Sequence, residues 1–298
     1  MQPATPNDPL VALAVTPAPG PRVLRLTGTP LLLARLTWAA LAGTALTLLV
    51  VALPEAFGAH VRGTLGLFPL LSGAVTAAAY LLIGVLVAWR APRELMALVF
   101  SGMLVAVGAT TFVPPPAGVA TDLLTFAGYA LLIVSFFLFP TGRLEPRGSW
   151  PLMAFYVLQE LLHNFAPHSP LSSHTWPGAT GNVVWLSTFI VGFGAQAYRY
   201  RRASGPRERQ QSRWVLFGFG VLVAGALLFA VLPELIAPGL VDLGKALFAL
   251  SALALPTSVA VAVTRHRLWD LAPLVNRALL LALLSGLLAA VYVAVVAA

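Results

Sequence analysis

Long apolar segments joined by short polar loops constrain the fold of this chain more than any other feature of its sequence. An α-helix needs about 20 apolar residues to cross the hydrocarbon core of a bilayer, and most of these segments reach that length. The chain is 59% hydrophobic and 9% charged, whereas about a quarter of the residues in soluble domains are charged. We therefore predict an all-α, polytopic transmembrane helical bundle of about nine spans. The predicted helices are Leu31–Leu53, Phe68–Trp89, Glu94–Val113, Gly118–Phe139, Trp150–Ala166, Asn182–Tyr200, Trp214–Leu232, Leu240–Thr264 and Ala278–Ala298.

The distribution of basic residues predicts how these helices are oriented. When the spans alternate in direction from a cytoplasmic N-terminus, all of the 18 lysines and arginines except Arg62 and Lys245 fall on the cytoplasmic side. Short cytoplasmic loops of membrane proteins carry such an excess of Lys and Arg. We therefore predict a multi-pass protein of a cytoplasmic (inner) membrane, with the lipid bilayer as its first partner. The net charge of +8 follows from this topology, so we expect no nucleic-acid partner.

The two ends of the chain differ from its apolar middle. Residues 1–30 are interrupted repeatedly by proline, which favours a disordered cytoplasmic tail, and residues 31–298 form the predicted transmembrane domain. The last predicted helix ends in apolar residues without a polar tail. We therefore expect either that it stops inside the membrane or that the chain is a fragment of a longer protein. Cysteine is absent, which excludes disulfides and cysteine-ligated metals.

A polar cluster in the fifth predicted helix is the main candidate for a site, because ionisable side chains within a span are costly. Its members are Gln159, Glu160, His163 and Asn164. Residues three or four apart share a helix face, so Glu160 and His163 lie together, as do Gln159 and His163. We interpret the four residues as candidates for an outer ligand-binding or sensing site that titrates near neutral pH or binds a cation or a polar ligand. The alternative is that they are solvated in the outer headgroup region.

Other classes of chemistry have little support in the sequence. The spacing of Glu160 and His163 also occurs in di-iron helical bundles, but such sites need carboxylates from other helices. We therefore expect no metal site and no cofactor. The middles of most spans carry no charge, which argues against an ion or proton conductor. No serine or threonine is paired with a histidine and an acid as in a catalytic triad, so we expect no catalytic residue in this chain.

Three predicted cytoplasmic loops carry ordered sets of polar and basic residues. The first is Phe139–Leu144, in which Pro140 ends a helix and Gly142 contributes to a turn. The second covers residues 198–214, and the third covers residues 265–277. Basic loops with aromatic rims are common membrane anchors, and this is the alternative interpretation of all three.

The residues of these loops follow a specific order. Phe139–Leu144 reads Phe-Pro-Thr-Gly-Arg-Leu, residues 208–214 read Glu-Arg-Gln-Gln-Ser-Arg-Trp, and residues 265–277 begin with Arg-His-Arg-Leu-Trp-Asp and end with Asn-Arg. In this order they resemble loops of the multi-pass membrane sensor region at the N-terminus of many bacterial two-component sensor histidine kinases. The resemblance covers roughly residues 80–298. It makes the following residues candidates for signal coupling: Arg143, Arg209, Gln211, Trp214, Arg265, Arg267, Asp270, Asn276 and Arg277.

The resemblance implies that the chain is the sensory, signal-transducing region of such a kinase and relays an external or intramembrane cue. Members of the family continue into a dimerisation helix pair with the phosphoacceptor histidine and into an ATP-binding domain, which we do not find in this sequence. We therefore expect no catalytic activity from this chain alone. The resemblance further implies a homodimer formed through the missing kinase module and a response regulator as the partner of that module. The alternatives are a transporter or permease-like protein and a free-standing integral membrane protein.

Overall fold

The structure is a bundle of helices. The computed structural model describes residues 25–60, 68–113, 115–140, 142–177, 180–203, 206–236 and 238–265. The helices are α1 (Gly28–His60), α2 (Phe68–Arg90), α3 (Leu95–Thr111), α4 (Val119–Leu138), α5 (Trp150–Phe165), α6 (Thr180–Tyr198), α7 (Pro206–Gly225), α8 (Leu232–Ile236), α9 (Val241–Ala252) and α10 (Ala254–Arg265). Two π-helical segments extend them: Arg199–Ala203 follows α6, and Ala226–Val231 joins α7 to α8.

The all-helical architecture predicted from the apolar segments is confirmed for the described residues. Each predicted span corresponds to one or more helices, except Ala278–Ala298, which lies outside those residues together with residues 1–24 of the predicted tail. Among the described residues, five helical stretches are long and apolar enough to cross a membrane, which indicates a membrane protein. They are Gly28–Ala52, Phe68–Arg90, Val119–Leu138, Ser212–Ile236 and Val241–Val263. The count of about nine spans and the cytoplasmic N-terminus stay predictions.

Apolar side chains are exposed along the outside of the bundle. On α1, Leu32, Leu33, Leu36, Leu46 and Val50 are all exposed. Soluble monomers rarely expose apolar surface of such extent, whereas lipid chains are as apolar as these side chains. The exposed side of α1 is therefore suited to contact with lipid.

Helix α3 lies at the centre of the bundle and packs against α1, α2 and α4. Its residues are buried on all sides, as is usual for a helix that is hydrophobic all round. The hydroxyl of Ser101 donates to the carbonyl of Gly84 at 2.5 Å and accepts a hydrogen bond from the indole of Trp38 at 2.8 Å. Because lipid offers no hydrogen-bond partners, polar groups within spans must be paired inside the protein. Ser101 thus connects α1, α2 and α3.

The break between α9 and α10 is stabilised by two side chains of α2. Pro256 has no amide hydrogen, so the carbonyl of Ala252, four residues earlier, loses its usual helical donor. The hydroxyl of Tyr80 donates to that carbonyl at 3.2 Å. The hydroxyl of Thr76 lies 2.9 Å from the carbonyl oxygen of Ala249 and 2.8 Å from that of Ser72 in its own helix, and its single hydrogen is shared between the two. Tyr80 and Thr76 are both buried. These contacts hold the last turn of α9 against α2.

The later helices bring their ends together at two opposite ends of the bundle. At one end, the last turns of α5 meet the start of α6, the helix α8 and the start of α9. At the other end, the last residues of α4 meet the end of α6. Helix α6 has 19 residues, and at 1.5 Å per residue its two ends lie about 28 Å apart. We call the first the cavity end and the second the clasp end.

Candidate functional site

A cavity of about 460 Å³ opens at the cavity end of the bundle. Its volume lies in the range of small-molecule sites, about 300–1,000 Å³. Gln159, Glu160 and His163 of the predicted polar cluster line the cavity, while the side-chain amide of Asn164 donates to the carbonyl of Glu160 within α5 at 2.8 Å. The remaining lining residues are Ser173, Trp176, Gly181, Asn182, Val184, Trp185, Thr188, Ala230, Val231, Glu234 and Lys245. Three of the four residues of the predicted cluster therefore form one wall, and three other parts of the chain complete the cavity.

The buried amide of Gln159 fixes the loop between α5 and α6. Its Nε2 donates to the carbonyl of Leu171 at 3.2 Å, and its Oε1 accepts from the amide of Ser173 at 3.0 Å. Within the loop, the indole of Trp176 donates to the carbonyl of Pro170 at 3.1 Å. One side of the cavity is therefore held in place by the protein itself and does not need a ligand to form.

Charged groups of both signs surround the cavity. Glu160 on α5 is half-buried, and Glu234 on α8 is exposed at the rim. Lys245 is also exposed, and its Nζ lies 3.8 Å from Oδ1 of Asp242, as their spacing of three residues allows. In the part of the chain that the structure describes, no group of three or more His, Asp or Glu side chains is placed to hold a metal ion. The charged groups are therefore distributed around an open volume.

Two tryptophans form the aromatic part of the cavity wall. Trp185 packs edge-on against Phe189, with 4.7 Å between the ring centroids and an angle of 62° between the ring planes. Trp176 is positioned by the hydrogen bond from its indole to the adjacent loop. Both indoles are partly buried. Because each is held by another group of the protein, they present aromatic surface in a fixed orientation.

A π-helical segment lines the cavity opposite α5. Ala230 and Val231 belong to this segment, Ala226–Val231. The π-helix is rare and is found frequently at functional sites. Helix α9 approaches the segment closely, because a Cβ added to Gly244 would overlap the carbonyl oxygen of Phe229. The segment thus has the cavity on one side and the backbone of α9 on the other.

A second site lies at the clasp end, where the end of α6 meets the end of α4. The last carbonyls of an α-helix have no partner within that helix, and Pro140 has no amide hydrogen to offer to the carbonyl of Phe136. Gln196, in the last turn of α6, and Arg199, at the start of the following π-helical segment, donate to these carbonyls. We call Gln196 and Arg199, together with the backbone of residues 135–143, the clasp.

Gln196 replaces the amide that the proline does not provide. Its Nε2 lies 2.6 Å from the carbonyl oxygen of Phe136 and 3.1 and 3.2 Å from those of Ser135 and Phe139. The carbonyl of Ser135 also accepts the amide of Phe139 at 3.0 Å, and the carbonyl of Phe139 also accepts from Arg199. The carbonyl of Phe136 therefore depends on Gln196 more than the other two do.

Arg199 is a buried cation, with 3% of its surface exposed. Its guanidinium donates to the carbonyl of Phe137 at 2.8 Å and to the carbonyls of Phe139 and Arg143. Its Nε lies 3.9 Å from Oε2 of Glu145. A buried charge is costly unless it is paired and hydrogen-bonded, and the C-terminal end of a helix carries partial negative charge that favours a cation. The carbonyls of α4 and the carboxylate together offset the cost of burying Arg199.

The described signal-coupling candidates have different surroundings. Arg143 is exposed, and its carbonyl is part of the clasp. The guanidinium of Arg209 donates to the carbonyl of Arg201 at 2.9 Å, which links α7 to the π-helical segment after α6. Trp214 packs against the core. Gln211 lies in α7 and Arg265 at the end of α10, while Arg267, Asp270, Asn276 and Arg277 lie outside the described residues.

Two residues of the clasp are not identified by the sequence patterns. By sequence, Arg199 is one more basic residue of a cytoplasmic loop, and Gln196 is an isolated amide near the end of a span. The available signal is Pro140, because a proline after a helix leaves a carbonyl without its donor. The sequence does not say which helix lies beside that carbonyl, so the partner is visible only in the structure.

This chain matches no protein-family model, no curated protein and no solved structure. The resemblance of its loops to those of sensor histidine kinases therefore stays a prediction.

Proposed function

We propose that this chain is the membrane-embedded sensory region of a two-component sensor histidine kinase, with the cavity as its ligand site. The observation that carries the proposal is that α6 connects the cavity to the clasp. Trp185 and Thr188 line the cavity, and Gln196 and Arg199 bind the end of α4. The distance along the helix from Trp185 to Arg199 is about 21 Å at 1.5 Å per residue. This is most of the roughly 30 Å thickness of the hydrocarbon core.

The proposal includes the topology of about nine spans with a cytoplasmic N-terminus. In this arrangement the cavity faces the outside of the bacterial cytoplasmic membrane, and the clasp faces the cytoplasm. Support comes from the arginines at or next to the clasp, since the positive-inside rule places such residues in the cytoplasm. They are Arg143, Arg147, Arg199, Arg201 and Arg202.

One face of α6 is suited to transmit a change from the cavity to the clasp. Thr188, Gly192 and Gln196 follow each other at intervals of four residues and so lie on the same face. At Gly192 the helix lies so close to α4 that an added Cβ would be 2.5 Å from the ring of Phe136. Packed interfaces of this kind move between discrete arrangements and do not deform continuously. A ligand that binds one arrangement more tightly than the other therefore changes the clasp.

The output of the proposed sensor is a cytoplasmic kinase module beyond this chain, which dimerises and phosphorylates a response regulator. The reading frame after the codon of Ala298 is the first thing to determine. A histidine-bearing dimerisation helix and an ATP-binding domain in that frame support the proposal. A frame without them removes the proposed output and contradicts it.

Autophosphorylation of the full-length gene product in inverted membrane vesicles tests the relay. We compare the unmodified protein with Arg199→Lys, which keeps the charge but loses the planar fork that reaches several carbonyls. Asp122→Asn, at the start of α4, is the control for loss of a charge interaction outside the cavity and the clasp. We expect the basal autophosphorylation rate to shift in Arg199→Lys and to stay unchanged in the control. Equal rates in all three proteins argue against a role of the clasp in signalling.

A transporter is the second candidate, and one observation favours it. The break between α9 and α10 makes a discontinuous helix, which transporters use to build substrate sites near the bilayer midplane. The carbonyl of Ala252 at this break is, however, bonded to Tyr80, and the cavity lies at helix ends. Proteoliposomes that contain the purified chain distinguish the two functions. Saturable uptake of a cavity ligand favours the transporter, and binding without uptake favours the sensor.

A further inference from the structure

We propose that the cavity binds an organic cation: a primary amine, a quaternary ammonium or a guanidinium group. This inference rests on the proposed function, which makes the cavity a ligand site, and goes beyond it by naming the class of ligand. The carboxylates of Glu160 and Glu234 attract the charge, and the indoles of Trp176 and Trp185 contact the cationic group.

The balance of charge in the lining favours a cation. Glu160 and Glu234 contribute two carboxylates, Lys245 contributes one ammonium group, and His163 contributes an imidazole. That ammonium group already lies 3.8 Å from the carboxylate of Asp242, so its field is partly cancelled at the rim. A carboxylate at a half-buried position such as Glu160 acts through a lower effective dielectric than bulk water. An anionic ligand would have to approach the same carboxylates and is therefore disfavoured.

The aromatic wall favours an organic cation in particular. A cation positioned over an indole is attracted by the negative face of the ring, and this contact is strongest for tryptophan. Trp185 is held by Phe189 and Trp176 by its bond to the loop, so the two indoles need not reorganise on binding. Quaternary ammonium ligands are commonly recognised by aromatic side chains of this kind.

The size and ligand set of the cavity distinguish an organic cation from a metal ion. Within the described residues no group of three His, Asp or Glu side chains could coordinate a metal. The volume of about 460 Å³ is far larger than a bare ion needs. Val184, Ala230 and Val231 provide apolar surface for the carbon substituents of a ligand. The cavity therefore combines a charged part and an apolar part, as small-molecule sites usually do.

Two sources supply this chemistry at the surface of a membrane: a water-soluble amine and the amine headgroup of a lipid such as phosphatidylethanolamine. Both place an ammonium group at the depth of the cavity in the proposed topology. Reconstitution of the chain in lipids with and without an amine headgroup separates them.

The test is calorimetric titration of the full chain in nanodiscs of phosphatidylglycerol, which has no amine. The probes are choline, phenylethylamine and methylguanidine, and 3,3-dimethyl-1-butanol is the neutral isostere of choline. We expect saturable binding of at least one cationic probe. If choline binds, we expect its isostere to bind on the order of tenfold more weakly or not at all, because it lacks the charge. Absence of saturable binding for all three cations, or equal binding of choline and its isostere, overturns the proposal.

Variants identify the residues that bind the probe. We expect Glu160→Gln to weaken binding on the order of tenfold or more and Trp185→Leu to weaken it roughly 3- to 30-fold. The matched controls are Asp122→Asn, at the start of α4, and Trp150→Leu, at the start of α5 and exposed. Both controls should bind as the unmodified chain does. Because the isostere comparison uses the unmodified chain, the test stands even where a variant fails to fold.

Nanodiscs that contain phosphatidylethanolamine separate the two sources. A lower apparent affinity of the soluble probe in these discs indicates that the lipid headgroup occupies the cavity, and an unchanged affinity indicates a soluble amine; either outcome supports an organic-cation site. If no probe binds but cavity variants still change the autophosphorylation rate, the ligand class is wrong and the proposed function stands. If a probe binds but the gene product has no kinase module, the proposed function is wrong and the organic-cation site stands.

Discussion

Replacing Gln196 by Met tests the clasp, because Met has a similar length but no side-chain amide. The substitution removes contacts to three backbone carbonyls, yet its cost is not that of three hydrogen bonds. The carbonyl of Ser135 keeps its bond from the amide of Phe139, and the carbonyl of Phe139 keeps its bond from Arg199. The carbonyl of Phe136 loses its donor, since the residue four positions later is a proline.

One buried carbonyl left without a donor costs about 1–3 kcal/mol, so we expect the free energy of unfolding to fall by that amount in Gln196→Met. The measurement is reversible unfolding of the purified chain in mixed micelles, with SDS as denaturant and circular dichroism as the readout. The matched control is Asn164→Leu, which removes an amide that donates to a carbonyl within its own helix. That carbonyl keeps its helical partner, so we expect a change below about 0.5 kcal/mol.

Equal stability of Gln196→Met and the unmodified chain, within about 0.5 kcal/mol, refutes the reasoning. Such a result would mean that the carbonyl of Phe136 has another donor or is reached by water. If the free energy of unfolding falls by the same amount in Gln196→Met and in Asn164→Leu, the conclusion is the same.

Three further predictions follow from close contacts elsewhere in the bundle. Tyr80→Phe keeps the ring but leaves the carbonyl of Ala252 without its donor, so we expect a loss of about 1–3 kcal/mol in the same unfolding experiment. Gly192→Ala places a Cβ against the ring of Phe136, and overpacking of this kind costs about 1–3 kcal/mol; a stabilised variant would contradict the close approach of α4 and α6. Gln159→Leu removes both side-chain bonds to the loop between α5 and α6, so proteinase K should cut that loop several-fold faster, and unchanged cleavage would show that the loop does not depend on Gln159.

The helices of this chain can be predicted from the sequence because the membrane sets their length and composition. The first predicted span, Leu31–Leu53, agrees with the apolar part of α1, but the helix itself continues through Pro54 to His60. Polar and small residues after the apolar run remain helical, so hydropathy alone ends the span too early. The predicted fifth span, Trp150–Ala166, differs from α5 by a single residue.

The cavity is predictable only where its residues share one helix. Glu160 and His163 are three residues apart and line the same cavity, as their spacing suggests. Trp185, Glu234 and Lys245 reach it from other helices. Which helices are neighbours depends on packing between nearly uniform apolar surfaces, and no periodicity of polar and apolar residues records that choice. The same reason hides the partnership of Arg199 with the end of α4.

Because Tyr80 bonds to the carbonyl of Ala252 at the break, we expect the residues at positions 80 and 256 to depend on each other in evolution. A proline at 256 leaves a carbonyl unpaired, and the hydroxyl at 80 pairs it. The order of substitutions therefore matters. We expect proline at 256 to cost less stability when tyrosine is already at 80, and phenylalanine at 80 to cost less once the proline has gone. Related sequences should show the two positions changing in that order, with few that combine proline at 256 and phenylalanine at 80.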